Sequence, residues 1–180
     1  MGNLFIKVGA ECGFDHTVFT SLVEEQRGHS KSYCIGIGSA PHVTISQFLI
    51  NPEDLEEVWD SVCSEIENPF IELEFKKYSQ VTFDGSIHWL SLIPEQTEEL
   101  FEGHFIANKH IEPIRKDAYD PHLTLFNFLI ENFQTDVEAL ERGVEIKGDF
   151  QLVLGECDPV GQLTNVIATY NNKSSKPQFK

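Results

Sequence analysis

A ten-residue phrase occurs twice in this 180-residue chain, and no other feature constrains the fold as much. Residues 41–50 read PHVTISQFLI and residues 121–130 read PHLTLFNFLI, 80 positions apart, with six of the ten residues identical. Three further positions pair similar side chains: Val43 with Leu123, Ile45 with Leu125, and Gln47 with Asn127. An internal repeat marks a structural unit used more than once.

The surroundings repeat as well. After the first copy, Asn51 suits a helix N-cap and Pro52 the first helical position. Leu55, Val58, Trp59, Val62 and Ile66 then recur at helical spacing. After the second copy, 132–142 predicts a shorter helix with Phe133, Val137 and Leu140 inward and Gly143 as its stop. Each helix leads to two strands: 70–78 and 87–93 around a turn at Asp84-Gly85, then 144–154 and 165–170 around Gly161. A strand over 4–8 and helices over 15–26 and 95–108 complete the pattern. The expected architecture is α+β and bilobal. Two pseudo-twofold-related lobes of antiparallel strands carry helices on the outside and enclose a central groove. Residues 1–170 form one domain in this reading, followed by a polar tail over 171–180.

On a strand, residues two apart share a face. His42 and Thr44 therefore point one way, as do His122 and Thr124, while Val43, Ile45 and Leu49, and Leu123, Leu125 and Leu129, form the core side. A single His-x-Thr on a strand is usually an idle polar face. Two in matching frames, brought together by a twofold axis, bring two imidazoles and two hydroxyls to one place. One neutral histidine can then take a proton from an attacking oxygen while a protonated one supplies the leaving oxygen. The threonine hydroxyls can hydrogen-bond the non-bridging phosphate oxygens.

Composition narrows the substrate. Hydrophobic residues make up 41%, enough for a packed core. Against 29 Asp and Glu stand 13 Lys and Arg, a formal net charge of −16. That balance disfavours gripping a long nucleic acid or an anionic membrane surface. Cys12, Cys34, Cys63 and Cys157 form no C-x-x-C pair, and neither a signal peptide nor a membrane-length apolar run is evident. A reduced, cytoplasmic protein is the expectation. No metal site is expected, since neither motif has neighbouring ligands at metal spacing.

Pro41-His42-Val43-Thr44 and Pro121-His122-Leu123-Thr124, the latter preceded by Tyr119-Asp120, resemble the paired motifs of the 2H phosphoesterase superfamily. That superfamily includes RNA 2',3'-cyclic phosphodiesterases of the 2'-5' RNA ligase type, plant cyclic phosphodiesterases and phage enzymes that degrade cyclic-nucleotide signals. The resemblance spans nearly the whole chain. It implies a bilobal fold with both motifs lining a groove, and cofactor-free, metal-independent catalysis by His42 and His122. Thr44 and Thr124 would bind the phosphate.

Around this core, Tyr119 and Trp89 are candidates to stack a base, with packing roles as the alternative. Arg115, beside Lys116, and Lys7 are candidate phosphate contacts, with a solvated surface as their alternative. His16, His29, His88, His104 and His110 have no partner in the repeat and are read as surface or structural residues. Asp120 is placed to orient His122 or to cap a turn. The function expected is cleavage of a cyclic phosphodiester in a small nucleotide. The alternatives are processing of longer RNA ends and a non-catalytic nucleotide-binding module.

Overall fold

A computed structural model of the chain describes residues 2–8, 30–35, 39–83, 85–95, 98–129, 145–159, 161–171 and 178–179. The elements, in chain order, are β1 (Gly2–Val8), β2 (Ser30–Cys34), β3 (His42–Phe48), a 3₁₀ turn (Pro52–Asp54), α1 (Leu55–Glu65) and β4 (Phe70–Phe83). After these come β5 (Ile87–Pro94), α2 (Glu98–His110), β6 (Leu123–Leu129), β7 (Ile146–Cys157), β8 (Leu163–Thr169) and β9 (Gln178–Phe179). The fold is α+β, built largely of antiparallel strands. The helices expected over 15–26 and 132–142, with Gly143, lie outside the described residues, as do Cys12, His16 and His29.

The strands form one continuous sheet rather than two separate ones, in the order β2-β6-β5-β4-β7-β1-β3, with β8 added to β7 and β9 to β8. Its centre is the β4–β7 pair, antiparallel from Phe70 opposite Gln151 to Phe75 opposite Ile146. On either side the rows correspond. β7 is followed by β1 and then β3, and β4 by β5 and then β6, so each motif strand stands third from the middle. An antiparallel pair is what a twofold axis through its centre requires. The long β7 serves both halves: beyond its β4 partners it pairs β8 along the same edge, from Val153 opposite Thr169 to Cys157 opposite Leu163.

The halves also share an irregularity. In β1–β3 the register passes from Leu4 opposite Ser46 to Phe5 opposite Thr44, so Ile45 is an extra residue. In β5–β6 it passes from Leu90 opposite Phe126 to Ser91 opposite Thr124, so Leu125 is the extra residue. These are matching positions of the repeat. A bulge resets the alternation of faces beyond it, and this corrects one sequence expectation. Leu49 is not in the core but 67% exposed, and Leu129 is only half-buried. Phe48 and Phe128 take the core positions, 1% and 0% exposed.

The core lies on the helix side of the sheet. Trp59, Val62 and Cys63 of α1 and Leu100, Ile106 and Ala107 of α2 pack with Val43, Ile45, Phe75, Leu123, Leu125, Phe126 and Phe150. Each large apolar side chain buried here contributes about 1.5–3 kcal/mol. The apolar spacing of α1 holds as read, except at its start. Asn51 makes no side-chain cap bond to the backbone; its carbonyl accepts from Asp54 in a 3₁₀ turn, and Leu55 begins the helix proper. β4 runs to Phe83, longer than the sequence indicated, and ends at Gly85 in the left-handed region with φ 66°. Within the tail, Gln178–Phe179 pairs with Ala168–Thr169 of β8.

Candidate active site

Although β3 and β6 are far apart in strand order, they lie in contact in the fold. The segment before β6 crosses β3: Phe48 bridges Pro113, and Ile114 donates its amide to the Gln47 carbonyl at 2.7 Å. Tyr119 then donates its hydroxyl to the carbonyl of Thr44 at 3.2 Å. The two His-x-Thr motifs are thus adjacent, and His122 is near enough to disfavour a charge on His42.

Both histidines are held in the same way. His42 Nδ1 donates to the carbonyl of Ala40 at 2.7 Å, and His122 Nδ1 to that of Asp120 at 2.8 Å. In each case the acceptor lies two residues upstream. A carbonyl can only accept, so each Nδ1 carries a proton, and the same clamp holds the ring at both repeats.

Their environments differ. His42 is buried, and desolvation takes its pKa from 6.5 down to about 4, against the opposing effect of hydrogen bonds to the Ala40 and Gly161 backbones. Gly161 lies in the β7–β8 turn, which therefore roofs His42. Its φ of 87° favours glycine, and a Cβ there would meet Gln47 Nε2 at 3.4 Å. The His122 side chain is 30% exposed, and the Asp120 carboxylate, itself 79% exposed, stands 3.9 Å from its Nδ1. Thr44 and Thr124 are half-buried, and neither hydroxyl is engaged in a hydrogen bond among the described residues.

A polar latch that the sequence did not reveal holds the first motif. Ser46 Oγ donates to Asn108 Oδ1 at 2.8 Å, Asn108 Nδ2 donates to His104 Nε2 at 3.0 Å, and His104 Nδ1 donates to the Ile45 carbonyl at 2.7 Å. The carbonyl freed by the bulge thereby gains a partner from α2. Tyr119 stacks on His104, with ring centroids 4.1 Å apart and planes 11° apart. Where α2 crosses β3, a Cβ on Gly103 would come within 3.1 Å of Ile45 Cδ1. The one sequence signal for this latch was the i, i+4 spacing of His104 and Asn108 on a predicted helix.

The outer candidates separate. Trp89 sits on β5 opposite Asn127, half-buried, with its ring 5.7 Å from that of Tyr33. Tyr119 stacks on His104 and meets Phe101 edge to face 5.4 Å away, and so braces the first motif against α2. Arg115 is exposed in the segment between α2 and β6, with no hydrogen bond or ion pair to either histidine among the described residues. Lys116 pairs with Glu112 at 2.7 Å. The register sets Lys7 opposite His42. Of the other histidines, His88 bonds Thr82 at 2.8 Å and His110 bonds Glu65 at 2.6 Å.

No family model matches the chain, and no curated protein matches it. Solved structures do. Usb1 of Kluyveromyces marxianus superposes with a TM-score of 0.55 at 15% identity, over 92% of this chain and 95% of that one. A protein described as a phosphoesterase gives 0.58 at 10% identity, over 99% and 92%. Escherichia coli LigT, solved with NADP+, gives 0.52 at 10% identity, over 99% and 93%. The chain therefore shares the α+β fold of these structures over nearly the whole length of each.

Proposed function

We propose that this chain is a metal-independent phosphodiesterase that opens a cyclic phosphodiester in a small nucleotide, either a cyclic nucleotide or a 2',3'-cyclic phosphate. The observation that carries this reading is the twin clamp on His42 and His122 beside two threonine hydroxyls that make no hydrogen bond among the described residues. Water is the nucleophile. Neutral His42 takes its proton as the new P–O bond forms, the ring P–O bond breaks, and protonated His122 delivers a proton to the departing oxygen. A cyclic mononucleotide becomes a monoester, and the two histidines end with exchanged protonation. His42 is assigned the base because burial keeps it neutral, which leaves the acid role to His122 on the more open side of the site. Thr44 and Thr124 hold the non-bridging oxygens as charge builds.

The charge of −16 favours a substrate with one or two phosphates over a polymer. The test is a panel of cyclic mononucleotides, cyclic dinucleotides and a cyclic-phosphate-ended RNA of about 20 nucleotides at two ionic strengths, read by chromatography. A small cyclic ester should have the higher kcat/KM, with a shallow salt dependence. A tenfold preference for the RNA, with a log–log salt slope steeper than about −2, would move the function to RNA-end processing. Tight nucleotide binding without turnover would leave a binding module.

A further inference from the structure

The two halves of the site are not equivalent at one position. Beside Thr124, the strand register sets Ser91 of β5, and beyond it Ser79 of β4. The matching row in the other half runs from Thr44 to Phe5 and then Val153, which belongs to a small apolar cluster with Leu163. Thr124 is therefore followed in its row by two further hydroxyls, whereas Thr44 is followed by Phe5 and Val153, which have none.

Ser91 is 6% exposed. Its neighbours Leu90 and Leu92 face the core, so alternation puts Ser91 on the opposite face with Thr124 and Trp89. A buried hydroxyl normally finds a partner. Ser91 has no side-chain hydrogen bond among the described residues, and its oxygen is not sealed from solvent. Directly paired residues stand about 4.5–5.5 Å apart across an antiparallel pair, so the hydroxyls of Ser91 and Thr124 can reach two oxygens of one phosphate.

We infer that Ser91 is a substrate-binding residue: its hydroxyl donates a third hydrogen bond to the phosphate and draws it off the axis between the repeats, toward β5 and β6. The nucleoside then lies along β5, where Trp89, two residues from Ser91 on the same face, meets its base. This rests on the proposed phosphoester site, so the test includes a ligand that needs no turnover.

Wild type, Ser91→Ala, Ser91→Cys, Ser91→Thr and Ser79→Ala are titrated calorimetrically with inorganic phosphate and with adenosine 2',3'-cyclic phosphate, and assayed on the latter. Cysteine preserves the volume with a weak donor, which covers any misfolding of the alanine variant. Ser91→Ala and Ser91→Cys should weaken both ligands about tenfold or more and raise KM accordingly, with kcat changed less. Ser91→Thr should recover to within about threefold, and Ser79→Ala should bind as wild type. If the wild type binds phosphate through Ser91 but turns nothing over, this inference stands and the catalytic reading falls. Affinities of Ser91→Ala within twofold of wild type, no rescue by threonine, or no phosphate binding by the wild type would overturn it.

Discussion

A histidine that folds in its neutral form leaves a signature in the pH dependence of stability, and His42 supplies a case with a calculable size. Its ring is 6% exposed, and desolvation lowers its pKa from 6.5 to about 4. At about 1.4 kcal/mol per pH unit, the folded protein prefers the neutral ring by about 3 kcal/mol. The folded value is the depressed one. The unfolded chain takes up the proton near pH 6.5 and the folded chain only near 4. The stability that depends on a neutral His42 is therefore intact above pH 6.5, erodes as the pH falls, and levels off below about 4. His42→Asn removes the titration and keeps an amide able to donate to the Ala40 carbonyl. Urea unfolding of wild type and variant at pH 7.5 and pH 4.5 isolates the residue, because every other titrating group is common to both. Wild type should lose about 2–3 kcal/mol more than the variant between those two conditions. In parallel, NMR titration of the His42 Cε1–H should give a midpoint near 4 in the free protein, moving up when phosphate binds nearby. A midpoint at 6 or above, or a stability difference that does not change with pH, would refute the buried neutral base.

Other outcomes are expected alongside this one. His42→Ala and His122→Ala should each lower kcat/KM by about 10²–10⁴, Thr44→Ala and Thr124→Ala by about 10–10³, and combinations by less than the product, as steady-state kinetics would show. Activity should survive EDTA, because no cluster of three His, Cys, Asp or Glu side chains suited to a metal occurs among the described residues. Turnover lost in chelator and restored by one divalent ion would contradict this. His104→Phe keeps a ring against Tyr119 but strands the Ile45 carbonyl and the Asn108 amide. It should cost about 1–3 kcal/mol in urea unfolding and lower activity no more than Thr44→Ala does.

The repeat alone singled out the candidate site. Side chains alternate along a strand for steric reasons that hold in any fold, so His42 with Thr44 and His122 with Thr124 were legible as two matched pairs. Two copies in one chain also implied a twofold relation, and the β4–β7 centre of the sheet carries it. Local spacing likewise marked α1, α2 and the turns at Gly85 and Gly161. What it missed depends on register between residues distant in the chain. The bulges at Ile45 and Leu125 exist only because β3 pairs β1 and β6 pairs β5 with one residue to spare. They moved Leu49 to the surface and Phe48 into the core. Only tertiary packing made the two histidines unequal, since the turn that covers His42 comes from Gly161, 119 positions later, while His122 stays open beside Asp120. The same holds for Ser91. Nothing within its own segment distinguishes it from any strand serine; only the β5–β6 register sets it opposite Thr124.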